Sequence, residues 1–256
     1  MKFVKILLLI AALGLVASVH AEKITIAAAA DLKFALDEIV TTFKKAHAAD
    51  EVDVIYGSSG KFHTQIQQGA PYDLYFSADI AFARALAKAG FAASEVKPYA
   101  VGRIVLWSAT MDARQMTLAS LTDVTIARVA IANPKHAPYG KRAEEALRAL
   151  GLWEKVEPKL VYGENIAHAA QFVQTGNAQV GIIALALALS PELASKGGYW
   201  LIPDHLHQPL EQGFVITRRA QGKALAQRFA DYMGSPAARA VMTRYGFVLP
   251  GEAVGK

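Results

Sequence analysis

The stretch KITIAAAADLKFALDEIVTTF, residues 23–43, carries the pattern from which the fold of this chain is predicted. Its first residues alternate in polarity as in a half-buried β-strand, and small alanines then lead to Asp31. Apolar residues follow at spacings of three and four, which predicts one buried face of a helix: Leu32, Ala35, Leu36, Ile39, Val40 and Phe43. Asp is a preferred N-cap residue, so Asp31 is predicted to begin this helix. The stretch is therefore a strand, a tight turn and a helix.

The same unit recurs twice in the next 45 residues. Residues 52–56 alternate as a strand, residues 57–60 form a Gly-Ser-Ser-Gly turn, and residues 62–68 have helical spacing. A further strand at 73–77 precedes a helix at 80–88. Strands that alternate with helices predict a mostly parallel sheet with helices on both faces.

A second series of elements follows without a linker. We predict strands at 102–107, 128–132, 159–162, 180–183, 198–202 and 212–217, and helices at 141–150, 166–175 and 223–233. Ser235 and Pro236 begin a last helix, which Gly246 ends. We therefore expect two α/β lobes joined by a hinge, with crossings near Arg103 and Gln208. Lobe 1 would comprise residues 22–103 and 208–256, and lobe 2 residues 104–207.

The first 21 residues have the pattern of a secretory signal peptide. Lys2 and Lys5 precede an apolar run at 6–19, and Ala21 offers a small residue for cleavage. The run is shorter than the ~20 residues that cross a bilayer as a helix. We therefore expect cleavage after Ala21 and export to the periplasm.

Composition excludes several classes of function. Removing 21 residues from 256 leaves a chain of 235 with a net charge of about +3, and its charges are scattered, which does not suggest nucleic acid. The chain has no cysteine, which excludes disulfides and cysteine-based metal sites or nucleophiles. Its hydrophobic content of 53% is enough for two cores.

Three predicted strand-to-helix turns, at 29–31, 57–60 and 137–140, are rich in small or hydroxyl-bearing residues. Such turns line the ligand crevice of open α/β sheets, and helix N-termini there suit an anion. Each turn alone is weak evidence, because most single turns of this composition are plain helix caps. Because they are distributed over both predicted lobes, they favour an anion site in the cleft between the lobes.

Five segments, found in order over the mature chain, resemble the periplasmic molybdate-binding proteins of ABC importers. They are ITIAAAADL (24–32), YGSSGKF (56–62), GAPYDLYFSAD (69–79), NPKHAPYG (133–140) and YGF (245–247). The resemblance implies a type II periplasmic-binding-protein fold, in which hydroxyls and backbone N–H groups hold a tetrahedral oxyanion between the lobes. It also implies a bound molybdate or tungstate, no cofactor, and an ABC permease in the inner membrane as partner.

The resemblance also implies the ligand-binding positions. By position they are Asp31, Ser59, Tyr139 and, through its backbone amide, Ile166, with Ala30, Ser58, Gly60 and Asn165 in supporting positions. The sequence departs from the family pattern at two places. Asp31 stands where serine or asparagine is found, and Ala184 replaces a late tyrosine, whose hydroxyl Tyr139 could supply.

An ionised Asp31 would repel a molybdate dianion in a poorly hydrated cleft. Asp31 could turn onto its own helix as an N-cap, it could be protonated, or the anion could carry a proton that Asp31 accepts. The strong N-cap preference of Asp favours the first of these.

Other candidate sites are weaker. We expect His205 and His207 to lie on a surface loop rather than bind a metal, and His63, His136 and His168 to be solvated residues at the rim of the cleft. No free metal cation is expected.

The chain lacks the motifs of the common enzyme classes. Ser59 lies in Gly-Ser-Ser-Gly rather than in a Gly-x-Ser-x-Gly elbow, and Walker and dinucleotide motifs are absent. The sequence thus predicts a monomeric binding protein that captures molybdate, and also tungstate, for a permease. The alternatives are a receptor for sulfate or phosphate and a secreted serine hydrolase using Ser59.

Overall fold

The computed structural model describes residues 21–252. The predicted signal peptide, apart from Ala21, lies outside the described residues. Within residues 21–252, no helix has the length and apolar character needed to cross a membrane.

The first sheet contains five strands in the order β2-β1-β3-β10-β4. Strand β1 pairs in parallel with β2 and β3, whereas β10 runs antiparallel to β3 and β4. The strands are β1 (Lys23–Ala29), β2 (Glu51–Gly57), β3 (Leu74–Ser77), β4 (Lys97–Gly102) and β10 (Leu210–Ile216). The helices of this lobe are α1 (Lys33–Ala46), α2 (Ser59–Gln67), α3 (Ile80–Lys88), α9 (Ala224–Tyr232) and α10 (Pro236–Arg244).

The second sheet has the order β7-β6-β8-β5-β9, with β6 parallel to β7 and β8, and β5 antiparallel to β8 and β9. Its strands are β5 (Ile104–Ser108), β6 (Val129–Ala132), β7 (Leu160–Gly163), β8 (Val180–Ala184) and β9 (Gly198–Leu201). Its helices are α4 (Pro138–Ala149), α5 (Trp153–Val156), α6 (Ile166–Gln174), α7 (Leu185–Ala188) and α8 (Pro191–Ala194). The predicted α/β fold with two lobes is confirmed.

Each lobe has its own apolar core. In the first, Phe43 and Phe76 pack edge-on against Phe229, with Phe43 and Phe229 ring centroids 5.2 Å apart. In the second, Trp107 on β5, which lies between β8 and β9, is fully buried. Because aromatic rings remove large apolar areas from water, these side chains stabilise the two sheets independently of any ligand.

The chain changes sheets at Arg103. Residues 102–107 were predicted as one strand, but β4 ends at Gly102 and β5 begins at Ile104, in the other sheet. Strand β4 itself was missed, because it contains Pro98, which a strand tolerates at a sheet edge. The chain returns to the first sheet between β9 and β10. The positions of a flexible hinge and of the lobe boundaries stay predictions.

The prediction that Asp31 caps the first helix is wrong. Residues Ala30–Leu32 form a short 3-10 turn and α1 begins at Lys33, with no side-chain hydrogen bond at its N-cap. The prediction for the last helix is confirmed: the Ser235 side chain accepts a hydrogen bond from the Ala238 amide, and Pro236 is the first residue of α10.

Candidate functional site

The three small-residue turns meet in one cleft, together with the start of α6. The cleft has about 190 Å³ of empty space, part of it open to solvent. Residues from both lobes line it: Ala29, Ala30, Asp31, Gly57, Ser58, Ser59, Ala78, Ala137, Pro138, Tyr139, Asn165 and Ile166. Of the eight predicted site residues, all but Gly60 line this cleft. Their role as ligand contacts stays a prediction.

Helices from both lobes begin at the cleft. Ser59 is the first residue of α2 and Ile166 the first of α6, so neither amide has an acceptor in its own helix. Asn165 caps α6, because its side chain accepts a hydrogen bond from the His168 amide at 3.0 Å. Both helix ends carry a partial positive charge. The cleft therefore offers unpaired N–H groups and a favourable potential to an anion.

The Ser59 side chain is held in place by its neighbours. Its Oγ accepts a hydrogen bond from the Ala78 amide at 3.0 Å, and its carbonyl accepts one from the Tyr75 hydroxyl at 2.7 Å. Because Oγ acts as the acceptor in that contact, the hydroxyl proton remains available to a group in the cleft.

Asp31 belongs to a buried polar cluster that joins the two lobes. Its Oδ2 accepts hydrogen bonds from the Tyr139 hydroxyl at 2.9 Å and from Gln212 Nε2 at 2.8 Å, and that Nε2 lies 3.1 Å from the Tyr139 oxygen. All three side chains are buried. Asp31 Oδ1 has no hydrogen-bond partner. Gly102 makes room for the cluster, since a Cβ there would lie 2.3 Å from the Tyr139 hydroxyl oxygen.

The surroundings of Asp31 disfavour its ionised form. Burial raises the pKa of its carboxyl group to about 6, although the hydrogen bonds from Gln212 and Tyr139 act in the opposite direction. Among residues 21–252, no lysine or arginine forms an ion pair with this carboxylate. Burial also raises the pKa values of Tyr139 and Tyr99 well above their ordinary range, so both remain neutral.

The two lobes are in direct contact beside the cleft. The Ser58 hydroxyl donates to the His136 carbonyl oxygen at 2.6 Å, and the Gly60 amide donates to the same oxygen at 3.0 Å. A Cβ on Gly60 would lie only 2.6 Å from that oxygen. Lys61 and Glu164 form an ion pair at 3.0 Å across the same gap. Gly60 thus lies in the contact between the lobes rather than in the lining of the cleft.

The histidines differ from the expectation in part. His63, His136 and His168 are half-buried rather than solvated, and burial lowers the pKa values of His63 and His136. His136 Nδ1 lies 2.9 Å from the Ser58 hydroxyl oxygen. As expected, His205 is exposed on a surface loop, and His207 is half-buried there. In the described part of the chain, no cluster of three or more His, Asp or Glu residues could hold a metal ion.

Sequence reasoning missed two polar residues. Gln212 is the one buried polar side chain in the largely apolar strand β10, which is a signal that could have identified it. Arg142 on α4 is buried, and it lies 3.6 Å from Asp79 of the other lobe and 2.8 Å from Glu145. Ala184, the position of the expected missing tyrosine, ends β8 and does not line the cleft.

Comparison with known proteins agrees with this architecture. The family model described as bacterial extracellular solute-binding protein matches residues 24–248. The molybdate-binding protein of Rhodobacter capsulatus is 36% identical over 239 residues, which cover 92% of each chain. The structure of the Azotobacter vinelandii periplasmic molybdate-binding protein matches with a TM-score of 0.83 and 32% identity, over 89% of this chain and 99% of that one.

A more distant structure has the same fold. The sulfate-binding protein of Mycobacterium tuberculosis matches with a TM-score of 0.77 at 16% identity, over 91% of this chain and 88% of that one. Both structures share the two-lobed α/β fold with this chain. The chain belongs to the bacterial extracellular solute-binding proteins and, within them, to the family of the molybdate-binding proteins.

Proposed function

We propose that this protein is the substrate-binding protein of an ABC importer and that it captures molybdate in the cleft between its lobes. One observation carries the proposal: unpaired helix N-termini from both lobes and the Ser59 hydroxyl converge on one cleft. The curated relatives at 36% identity are molybdate-binding proteins, which supports the choice of anion.

Capture would use donors from both lobes at once. The Ser59 hydroxyl and amide lie in one lobe and the Ile166 amide in the other, so an anion between them bridges the lobes. Hydrogen bonds to a charged acceptor are stronger than those between neutral groups. Because the anion makes its full set of contacts only in the closed form, it shifts the population of the protein toward closure.

Tungstate is expected to bind about as well as molybdate, because the two dianions share charge and shape. Sulfate shares them too, and the size of the cleft would discriminate against it. We further propose that cleavage after Ala21 releases a monomer into the periplasm, where the closed form delivers its anion to the permease. No cofactor is needed for this cycle.

Capture fits the site better than hydrolysis by Ser59. A nucleophilic serine needs a base within hydrogen-bond reach of its Oγ. The Ser59 hydroxyl contacts the Ala78 amide, whereas the nearby His136 contacts Ser58. This arrangement gives Ser59 no activating base.

A receptor for another oxyanion is the second candidate, and Asp31 is the observation that favours it. An ionised, unpartnered carboxylate oxygen would accept a hydrogen bond from an anion that carries its own proton, such as hydrogen phosphate. Sulfate has no such proton at neutral pH. Phosphate is therefore the competitor that the test must include.

The test is a calorimetric and thermal-unfolding titration of the chain from residue 22 with molybdate, tungstate, sulfate and phosphate. A ligand at a hundred times its Kd stabilises the native state by about 2.7 kcal/mol, which corresponds to a rise in Tm of roughly 5–10 °C for a protein of this size. Molybdate and tungstate are expected to give this shift at one ion per chain. The proposal is wrong if millimolar molybdate leaves both signals unchanged, and a response to phosphate alone would favour the second candidate.

A further inference from the structure

The Asp31 cluster has no hydrogen-bond donor to spare for an anion when Asp31 is ionised. The Tyr139 hydroxyl has one proton, and it is directed to Asp31 Oδ2. The Gln212 Nε2 group is directed to the same oxygen and to the Tyr139 oxygen. Asp31 Oδ1 carries only lone pairs and is buried without a partner, in a residue that lines the cleft.

One added proton reverses this situation. If the proton binds to Oδ1, Asp31 itself becomes a hydrogen-bond donor. If the proton binds to Oδ2, Asp31 donates it in a hydrogen bond to the Tyr139 oxygen. The tyrosine O–H is then free to turn to the cleft. In either arrangement the cluster gains one donor and loses its negative charge.

We propose that the cleft takes up a dianion together with one proton, and that Asp31 is the specificity-determining residue that holds this proton and presents it to the anion, directly or through Tyr139. This inference rests on the proposed capture of an oxyanion by the same cleft. It adds to the proposed capture a second species that binds with the anion, which is one proton.

The neighbours of Asp31 leave it as the group that titrates. The groups that face it are the side chains of Tyr99 of β4, Gln212 of β10 and Tyr139 of α4, and the backbone amides of Asp31 and Leu32. The starts of α2 and α6, at Ser59 and Ile166, line the same cleft. Both tyrosines have raised pKa values and stay protonated, and the other groups do not titrate. The pKa of Asp31, about 6, means that the carboxyl group is largely ionised at pH 7.5 and can accept the proton.

Further charged or titratable groups lie along the packed elements. Arg142 of α4 lies 3.6 Å from Asp79 and 2.8 Å from Glu145, and Lys61 of α2 pairs with Glu164 at 3.0 Å. Lys33, at the start of α1, pairs with Asp37 at 3.6 Å. His136, before α4, contacts Ser58, and His168 on α6 accepts from the Glu164 amide at 3.3 Å. If a histidine took up the proton instead, the proton uptake would persist when Asp31 is replaced. The substitution of Asp31 therefore distinguishes the two possibilities.

The experiment is isothermal titration calorimetry with sodium molybdate at pH values from 5.5 to 8, each in two buffers with different ionisation enthalpies. The difference between the buffers counts the protons bound per anion. For the wild type we expect nearly one proton taken up at pH 7.5. We also expect a Kd that rises about tenfold per pH unit above pH 6.5 and levels off below pH 6.

Two variants complete the experiment. Asp31→Asn keeps the shape but cannot exchange the proton, so its uptake should fall to about zero and its Kd should become flat with pH. Tyr139→Phe removes a hydrogen bond to Oδ2 but keeps the carboxyl group, so the proton uptake should persist. This pattern distinguishes proton exchange at Asp31 from a merely structural role, which would change Kd equally at all pH values.

Three results would overturn the inference. They are molybdate binding by the wild type without proton uptake, an uptake that persists in Asp31→Asn, and a Kd that does not change with pH. The proton count on the wild type needs no variant, so poor folding of Asp31→Asn would not prevent the test. If molybdate does not bind at any pH, the proposed function fails, and this inference fails with it.

Discussion

Replacing Asp31 with Asn should stabilise the ligand-free protein at neutral pH. Burial raises the pKa of this carboxyl group from 3.8 to about 6, so the folded state holds the proton more tightly than the unfolded state. Stability therefore falls as pH rises from about 4 to 6, and the full penalty is present above pH 6. A shift of about two pKa units corresponds to about 3 kcal/mol. Asn retains an oxygen to accept from Tyr139 and Gln212 and avoids the buried charge.

The assay is urea unfolding of ligand-free wild type and Asp31→Asn at pH 4, 5, 6 and 7.5. We expect the two free energies of unfolding to be similar at pH 4 and the variant to be more stable by about 3 kcal/mol at pH 7.5. Asp112→Asn is the matched control. Asp112 is exposed, and a hydrogen bond from the Arg114 side chain lowers its pKa, so this change should slightly reduce stability at neutral pH.

Two outcomes would contradict this prediction: Asp31→Asn is less stable than wild type at pH 7.5, or the difference in stability between the two proteins does not change with pH. Either result would mean that burial does not penalise the charge of Asp31 in the folded protein. If Asp31 instead capped α1, Asn would cap the helix equally well. The substitution would then lose only the favourable interaction between the carboxylate charge and the helix dipole, and stability would fall.

Three further predictions concern affinity for molybdate, measured by calorimetry. Gly60→Ala should weaken binding more than about tenfold with little change in Tm, because its Cβ would meet the His136 carbonyl oxygen only when the lobes close. Ser59→Ala should weaken binding about ten- to a hundredfold and also lower stability by about 1–3 kcal/mol, since the Ala78 amide loses its acceptor. Glu164→Gln should weaken binding by less than about fivefold, and the effect should diminish with added salt, because its ion pair across the lobes is half-exposed.

Each of these variants has a control in the same chain. Gly234→Ala adds a Cβ at an exposed position with its nearest neighbour at 3.4 Å, and Ser195→Ala removes an exposed hydroxyl. Glu51→Gln breaks an ion pair with Lys23 inside one lobe. None of the three controls should change affinity, and equal losses in variant and control would contradict the corresponding prediction.

Much of the fold could be predicted because it depends on local patterns. The alternation of strands and helices, the Ser235–Pro236 start of α10 and the small-residue turns are all properties of short segments. Strand β4 could not be predicted in the same way, because its place at the edge of the sheet depends on pairing with β10, over a hundred residues later. The start of β5 was predicted two residues too early, at Gly102, because pairing with β8 and β9 rather than the local pattern decides where this strand begins.

The sequence by itself determined the two-lobed α/β class and the turns that line the cleft, because hydrophobic period and turn chemistry act over a few residues. Only the tertiary structure decided the role of Asp31. Its partners Tyr139 and Gln212 lie 108 and 181 residues away in sequence. Gln212 meets it because β10 returns to the sheet of β1, and Tyr139 meets it only where the two lobes pack together. Local propensity therefore predicted an N-cap, whereas burial and the two distant hydrogen bonds made the residue a carboxyl group of raised pKa in the wall of the cleft.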